Sequence, residues 1–292
     1  MKSNFISLDG SVHYVTDGDD GPVLLLIHGI GASYISWYPV LEKLAKNHRI
    51  FAVDLIGHGF TPPHGRRATV RQNSELVARF ADAVSDEQVI LVGNSMGGLV
   101  SIVAAVTHPG LVAGLILVNP ALPIVSLKSL SIETQRLAWP LVPLLGATAA
   151  RYYYHERSAE DEVDETFRLV LSRGTDVDPF HRAAAIEMAR ARREMEWSIP
   201  AFSDAARSIA AELASPRRFR KTVHQVSQPT LLIHGTDDRV VHPESARWAA
   251  RERPDWDFEM IDGMGHAPMV EDPDLFVSLV TDWVGASVLQ TR

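Results

Sequence analysis

Gln88-Val89-Ile90-Leu91-Val92-Gly93-Asn94-Ser95-Met96-Gly97-Gly98 is the stretch on which the reading of this chain turns. Four aliphatic residues, Val89 to Val92, stop at Gly93, and small and apolar residues resume after Ser95, so the stretch reads as a strand, a sharp turn and a helix. Ser95 has glycines two places before and two places after it, the pattern G-x-S-x-G, in which missing side chains let the backbone turn without a Cβ clash. Such a turn lifts the Ser95 hydroxyl clear of the sheet. It also aims the Met96 N–H and the following helix N-terminus at any anion formed there. A phosphate-binding or purely structural glycine turn reads the same over five residues, so the serine needs partners elsewhere.

A serine hydroxyl is a weak nucleophile at its free pKa and needs a base that is itself held by an acid. Both occur downstream. Thr230 to Gly235 reads as a buried strand, and the turn after it, Thr236-Asp237-Asp238-Arg239-Val240, carries two carboxylates. A further strand, Trp256 to Ile261, ends in Asp262-Gly263-Met264-Gly265-His266-Ala267-Pro268. The order serine, aspartate, histidine, each just beyond a strand, resembles the α/β-hydrolase superfamily over nearly the whole length of the chain.

The resemblance implies an α/β fold: a mostly parallel central sheet flanked by helices, with an inserted helical cap. It implies Ser95 as nucleophile and His266 as base. Gly235 to Val241 resembles G-x-x-D-x-x-V, which places the acid at Asp238, with Asp237 as the fallback. Some relatives carry the acid after the strand that precedes the cap. Here that position is Asn119, which has no charge to hold an imidazolium. His28-Gly29-Ile30-Gly31 resembles the H-G-x-G loop that supplies an oxyanion donor, which gives the backbone N–H groups of Ile30 and Met96 as the oxyanion hole. Asp54 to Gly59 resembles the D-x-x-G-x-G loop of these hydrolases, a part of the fold in which His58 is not catalytic.

Composition agrees. The 292 residues, 46% hydrophobic and 22% charged, suffice for one core plus an insertion. A net charge of −8 gives no electrostatic footprint for nucleic acid or an anionic membrane. The absence of cysteine removes disulfides, thiolate metal sites and cysteine nucleophiles from consideration. The twelve histidines fall in no H-x-x-x-H or H-E-x-x-H spacing, so metal dependence is not expected. Met1 to Phe5 leads straight into an alternating strand pattern without the apolar run of a signal peptide, which makes the cytoplasm the expected location. The apolar interval from Gly98 to Val118 is broken at His108-Pro109-Gly110, so no membrane span is expected there.

Along the chain, Asp9-Gly10 joins two period-two segments as an opening hairpin, and Val23 to Ile27 is a strand covered on both faces. Helices are expected from Trp37 to Lys46 and within Arg66 to Val84, and strands at Ile50 to Asp54 and Leu115 to Val118. Residues 1–122 and 226–292 read as the hydrolase core and 123–225 as the cap, where short apolar strands give way to helical, Arg- and Ala-rich sequence. Cap helices are expected near 132–145, 159–171, 179–193 and 199–213, the last with Ser198 as its N-cap. Trp139 to Leu144 and Tyr152 to Tyr154 are either cap core or pocket lining, and Trp139, Leu144 and Tyr153 are the candidate substrate contacts. Arg217 to Lys221 reads as a solvated return segment without an anion site. Leu275, Phe276, Leu279, Val280 and Trp283 make one apolar face of a closing helix.

The expected activity is a serine hydrolase that cleaves an apolar small-molecule carboxylic ester through an acyl-enzyme, with water as second substrate and no cofactor. Two alternatives stay open. One is a C–C bond hydrolase of meta-cleavage-product type, whose elbow the sequence Gly93 to Gly98 resembles, although such enzymes usually place tryptophan where Ala267 stands here and G-x-G-P-G-A in the oxyanion loop. The other is a non-catalytic ligand receptor on a hydrolase scaffold. Hydrolysis, acyl transfer and perhydrolysis share one site, and the sequence leaves the oligomeric state open.

Overall fold

Among the residues that the computed structural model describes, 1–123 and 157–288, eight strands form one sheet. They are β1 (Lys2–Ser7), β2 (Ser11–Asp17), β3 (Val23–Ile27), β4 (Arg49–Val53), β5 (Val89–Asn94), β6 (Val112–Val118), β7 (Thr230–Gly235) and β8 (Asp257–Ile261), in the spatial order β1-β2-β4-β3-β5-β6-β7-β8. The first two pairings, β1 with β2 and β2 with β4, are antiparallel, and all others are parallel.

Parity along the strands builds the core on both faces of this sheet. Leu25, Ile27, Leu91, Leu117 and Leu232 point to one face and Leu24, Leu26, Ile90, Val92, Ile116, Val118 and Ile233 to the other, because successive side chains of a strand alternate. The first set meets α2 (Val70–Val84) and α3 (Met96–Thr107) through Val77, Phe80, Leu99 and Ile102. The second meets α1 (Tyr38–Leu44) and the closing helix Pro273–Trp283 through Leu41, Leu44, Phe276 and Val280. Burial on both faces is why β3, β5 and β7 read as unbroken apolar runs rather than as alternation.

Between β6 and β7 the described helices are α4 (Ala159–Val170), α5 (Pro179–Arg193), α6 (Ser198–Leu213) and α7 (Pro216–Gln225). The helix expected near 132–145, with Trp139, Leu144 and Tyr153, lies outside the described residues. Helices α4 and α5 bury Ala159, Val163, Ile186 and Ala189 against each other and are pinned by Arg182 on Asp164 at 2.8 Å. Helices α6 and α7 instead dock on the sheet's own core through Ala201, Ala205, Phe219 and Val223.

Two local expectations change, at Ser198 and at Leu275. Ser198 is the first residue of α6 rather than its cap; Trp197 holds the cap position with helical backbone angles and no side-chain bond. Arg217 to Lys221 is solvated as expected: it lies within α7, which buries Phe219 and leaves all four cations exposed, with Arg220 on Glu252 at 2.9 Å. Leu275 is exposed in the closing helix, which buries Phe276, Val280 and Trp283 instead. No described helix is long and apolar enough to cross a membrane, and the apolar interval from Gly98 to Val118 divides between α3 and β6.

Buried histidines set the acid response of this fold. Burial pushes His58 down to about 3 and His181 down to about 4, so both stay neutral when folded, while the same rings take a proton near 6.5 in the unfolded chain. Between those values the unfolded state binds more protons, and stability falls with acidification by up to about 1.4 kcal/mol per pH unit for each ring. Urea midpoints should therefore drop from pH 7 to pH 4.5, and His181→Leu should make that slope shallower. A flat series in the wild type would contradict the burial of these rings as neutral groups.

Candidate active site

Ile30, Ser95, Met96, Asp238 and His266 all sit past the carboxyl end of a strand, the edge at which ligands bind open α/β sheets. Ser95 follows β5 with φ 55° and ψ −118°, a conformation that non-glycine residues rarely adopt. Its N–H donates to Val118 O at 3.0 Å, and its carbonyl accepts from Gly98 N at 3.0 Å and Ala121 N at 2.9 Å, which holds the turn. The flanking glycines are required by space: a Cβ on Gly93 would lie 2.4 Å from Gly97 O, and one on Gly97 would lie 2.1 Å from Ile27 O. The turn thus brings the start of α3 against the end of β3.

That end of β3 opens the loop His28 to Gly31. His28 is fully buried; its Nδ1–H donates to Gly29 O at 2.7 Å and its Nε2 accepts the Leu55 N–H at 3.0 Å, a pattern only the neutral ring supports. Burial holds its pKa down, consistent with that tautomer. Gly29 lies against the nucleophile, since a Cβ there would be 3.1 Å from Ser95 Cβ. Neither the Ile30 N–H nor the Met96 N–H donates to an acceptor among the described residues. From the other side, Phe202 of α6 lies on the loop, where a Cβ on Gly31 would meet its ring at 2.9 Å.

Asp238 and His266 meet beyond β7 and β8. His266 Nδ1–H donates to Asp238 Oδ2 at 2.7 Å. The other carboxylate oxygen, Oδ1, accepts the Val240 and Val241 N–H groups at 2.7 and 2.9 Å. Burial pushes this carboxyl up, but the His266 charge and hydrogen bond, together with the Asn119 amide, outweigh it and hold Asp238 below the usual carboxylate range. Asp237 is exposed and its N–H donates to Met264 O at 2.8 Å, so its role in this turn is backbone pairing.

Four residues that sequence reading did not place at the site hold it together. Asn119, with φ 44° at the end of β6, donates Nδ2 to Asp238 Oδ2 at 2.7 Å and to Gly265 O at 3.1 Å. Asn94 donates to His266 O at 3.1 Å and so ties the serine turn to the histidine loop. Glu271 accepts the Gly265 N–H at 3.0 Å and the Ser172 N–H at 2.9 Å, and the His266 N–H donates to Val170 O at 2.6 Å, which joins that loop to the end of α4. His234 donates Nε2–H to Val241 O at 2.9 Å and, kept neutral by burial, lies 3.5 Å from Asp238 Oδ2 as a dipole rather than an ion. Only Asn119 carried a sequence signal, its place directly after a core strand. Ser95 Oγ makes no hydrogen bond among the described residues; such contacts commonly tighten only when substrate binds.

A cavity of about 360 Å³ opens behind the acid, lined by Arg173, Asp237, Asp238, Arg239 and Arg247 among others. Neither Ser95 nor His266 lines it, so it is not the space in which a substrate would meet the nucleophile. Among the described residues no cluster of histidine and carboxylate groups has the arrangement of a metal site.

Comparison with known proteins agrees with the fold. A family model described as the alpha/beta hydrolase fold matches residues 22–273. The chain is 27% identical over 268 residues to a pimeloyl-[acyl-carrier protein] methyl ester esterase of Nitrosospira multiformis, covering 91% of this chain and 95% of the relative. It is 27% identical over 273 residues to a 2-hydroxy-6-oxo-2,4-heptadienoate hydrolase of Pseudomonas putida, covering 91% and 90%. Among solved structures, a Rhodococcus esterase superposes with a TM-score of 0.70 at 26% identity, over 98% of this chain and all of the other.

The short imidazole–carboxylate bond has a spectroscopic consequence. A strongly downfield proton resonance from His266 Nδ1–H is expected, unchanged in Asp237→Asn and lost in Asp238→Asn. Its survival in Asp238→Asn would mean that another group holds the ring.

Proposed function

The chain belongs to the alpha/beta hydrolase fold family, and from that premise we propose that it is a serine hydrolase that cleaves a carboxylic ester of an apolar small molecule. The observation that carries this reading is the His266–Asp238 bond of 2.7 Å at the sheet edge where the strained Ser95 turn also emerges. Ser95 Oγ attacks the acyl carbon while His266 Nε2 takes its proton. Asp238 holds the ring in the tautomer that leaves Nε2 free and stabilises the imidazolium that results. His266 then returns the proton to the departing alcohol, and water repeats the sequence on the acyl-enzyme. The Ile30 and Met96 N–H groups, free of other acceptors, receive the oxyanion, a contribution of about 10²–10³ in rate per donor. No cofactor enters these steps.

The segment between β6 and β7 acts as the cap that sets substrate choice, with Trp139, Leu144 and Tyr153 as apolar contacts. Two observations support its place over the site. Phe202 of α6 lies on Gly31 of the oxyanion loop, and the end of α4 is bonded to the loop that carries His266. A pocket of that lining binds by burying apolar area, at about 0.8 kcal/mol per methylene.

The second reading, C–C bond hydrolysis, is favoured by the similarity to the heptadienoate hydrolase. Against it stand Ala267 after the histidine and Gly31-Ala32-Ser33 in the oxyanion loop. Turnover of p-nitrophenyl esters beside a vinylogous 1,5-diketone separates the two readings. Ester turnover is expected, with kcat/KM rising up to roughly tenfold for each two-carbon extension from acetyl to octanoyl. A succinyl hemiester should be poor by comparison. Ser95→Ala should lose about 10⁶ in kcat and Asp238→Asn about 10⁴, with circular dichroism unchanged in the first. Faster cleavage of the diketone than of any ester, or more than a tenth of the activity left in Ser95→Ala, would overturn the proposal.

A further inference from the structure

A second chain of serine, histidine and aspartate lies at the opposite end of the sheet order, and no step above uses it. Ser3 Oγ of β1 is 2.9 Å from His13 Nε2 of β2, and His13 Nδ1 is 2.7 Å from Oδ2 of Asp54, just beyond β4. Asp54 is fully buried and also accepts the Tyr34 N–H on Oδ1 at 2.8 Å and the Phe60 N–H on Oδ2 at 2.9 Å, so it acts as a carboxylate acceptor throughout. Donation of His13 Nδ1–H to Asp54 leaves Nε2 facing the Ser3 hydroxyl, the orientation in which an imidazole takes a serine proton. His13 is 1% exposed, whereas Ser3 lies exposed on the edge strand. Only the hydroxyl therefore faces a reagent.

The surroundings fix what the site would take. Phe5, Tyr34 and Phe60 pack around the His13 ring with centroids at 5.0, 5.2 and 5.3 Å, and Phe5 and Phe60 are 61% and 37% exposed. The imidazole that Ser3 touches is thus bordered by aromatic rings. We propose that Ser3, His13 and Asp54 form a second acylation site, at which Ser3 takes a small uncharged acyl group from an activated ester. Ser3 Oγ forms a bond to the acyl carbon and the ester C–O bond breaks. The hydroxyl proton passes to His13 Nε2 and from there to the departing alkoxide or phenolate, so charge and atoms balance. The product proposed is the acyl-serine itself, so the site is one of modification rather than turnover.

The site stands independently of the Ser95 mechanism and is tested in Ser95→Ala. That protein is treated with p-nitrophenyl acetate, digested, and mapped by fragment-ion mass spectrometry, with and without hydroxylamine. A hydroxylamine-labile acetyl ester on Ser3 is expected, distinct from hydroxylamine-stable amides on the Met1 amine or Lys2. It should fall at least tenfold in the additional His13→Gln variant, and equally in urea-unfolded Ser95→Ala, which serves if His13→Gln fails to fold. Acetyl confined to amines, or Ser3 acetylation as fast in unfolded protein as in folded, would overturn the proposal.

Discussion

A single backbone turn, Asn94-Ser95-Met96, sets the position of everything else in the site. Holding a serine at φ 55° costs on the order of 1–3 kcal/mol, and it persists because three elements lock it. Its N–H is bound to Val118 at the end of β6, its carbonyl serves the first turn of α3 and the Ala121 N–H, and the two bare glycine faces let α3 close on the carbonyls at the end of β3. The hydroxyl, the first N–H of α3 and the loop after β3 therefore converge by construction. Any side chain at Gly97 would have to displace the Ile27 carbonyl, and with it the loop that carries Ile30.

Two buried carboxylates organise the loops around that turn. Asp238 gathers the backbone after β7, the ring of His266 and the amide of Asn119; Asp54 gathers His13, Tyr34 and Phe60. A carboxylate taken from water is tolerated only when its lone pairs are filled, and removal of one partner from a buried pair costs about 3–5 kcal/mol. Each cluster thus fixes its loops at the same time as it fixes its histidine. The serine turn and the histidine loop are further joined by Asn94 on His266 O, so the nucleophile and the base do not drift apart as separate loops.

The strands, and the placing of Ser95, Asp238 and His266 beyond their carboxyl ends, were legible because each rests on local chemistry. Apolar runs bounded by glycine and proline reveal β3, β5 and β7, and G-x-S-x-G is a spacing requirement that this turn imposes directly. The choice of Asp238 over Asp237 followed from a resemblance, and the geometry has a local cause: the Asp237 N–H is drawn to Met264 O, which turns the next side chain inward. Asn94 and Glu271 were illegible, since each acts across a distance in sequence that no periodicity encodes: Asn94 reaches His266 from 172 residues away and Glu271 reaches Ser172 from 99. The Ser198 cap failed because Trp197 adopts helical angles and propensity alone does not locate a cap.

An ester bond attacked by Ser95 and a proton relayed through His266 make the central claim, and covalent trapping reads it most directly. After treatment with a p-nitrophenyl dialkyl phosphate, peptide mapping should find one dialkylphosphoryl group on Ser95, with ester hydrolysis lost in proportion to its occupancy. Full inactivation with Ser95 unmodified, or undiminished hydrolysis with Ser95 stoichiometrically labelled, would contradict the account.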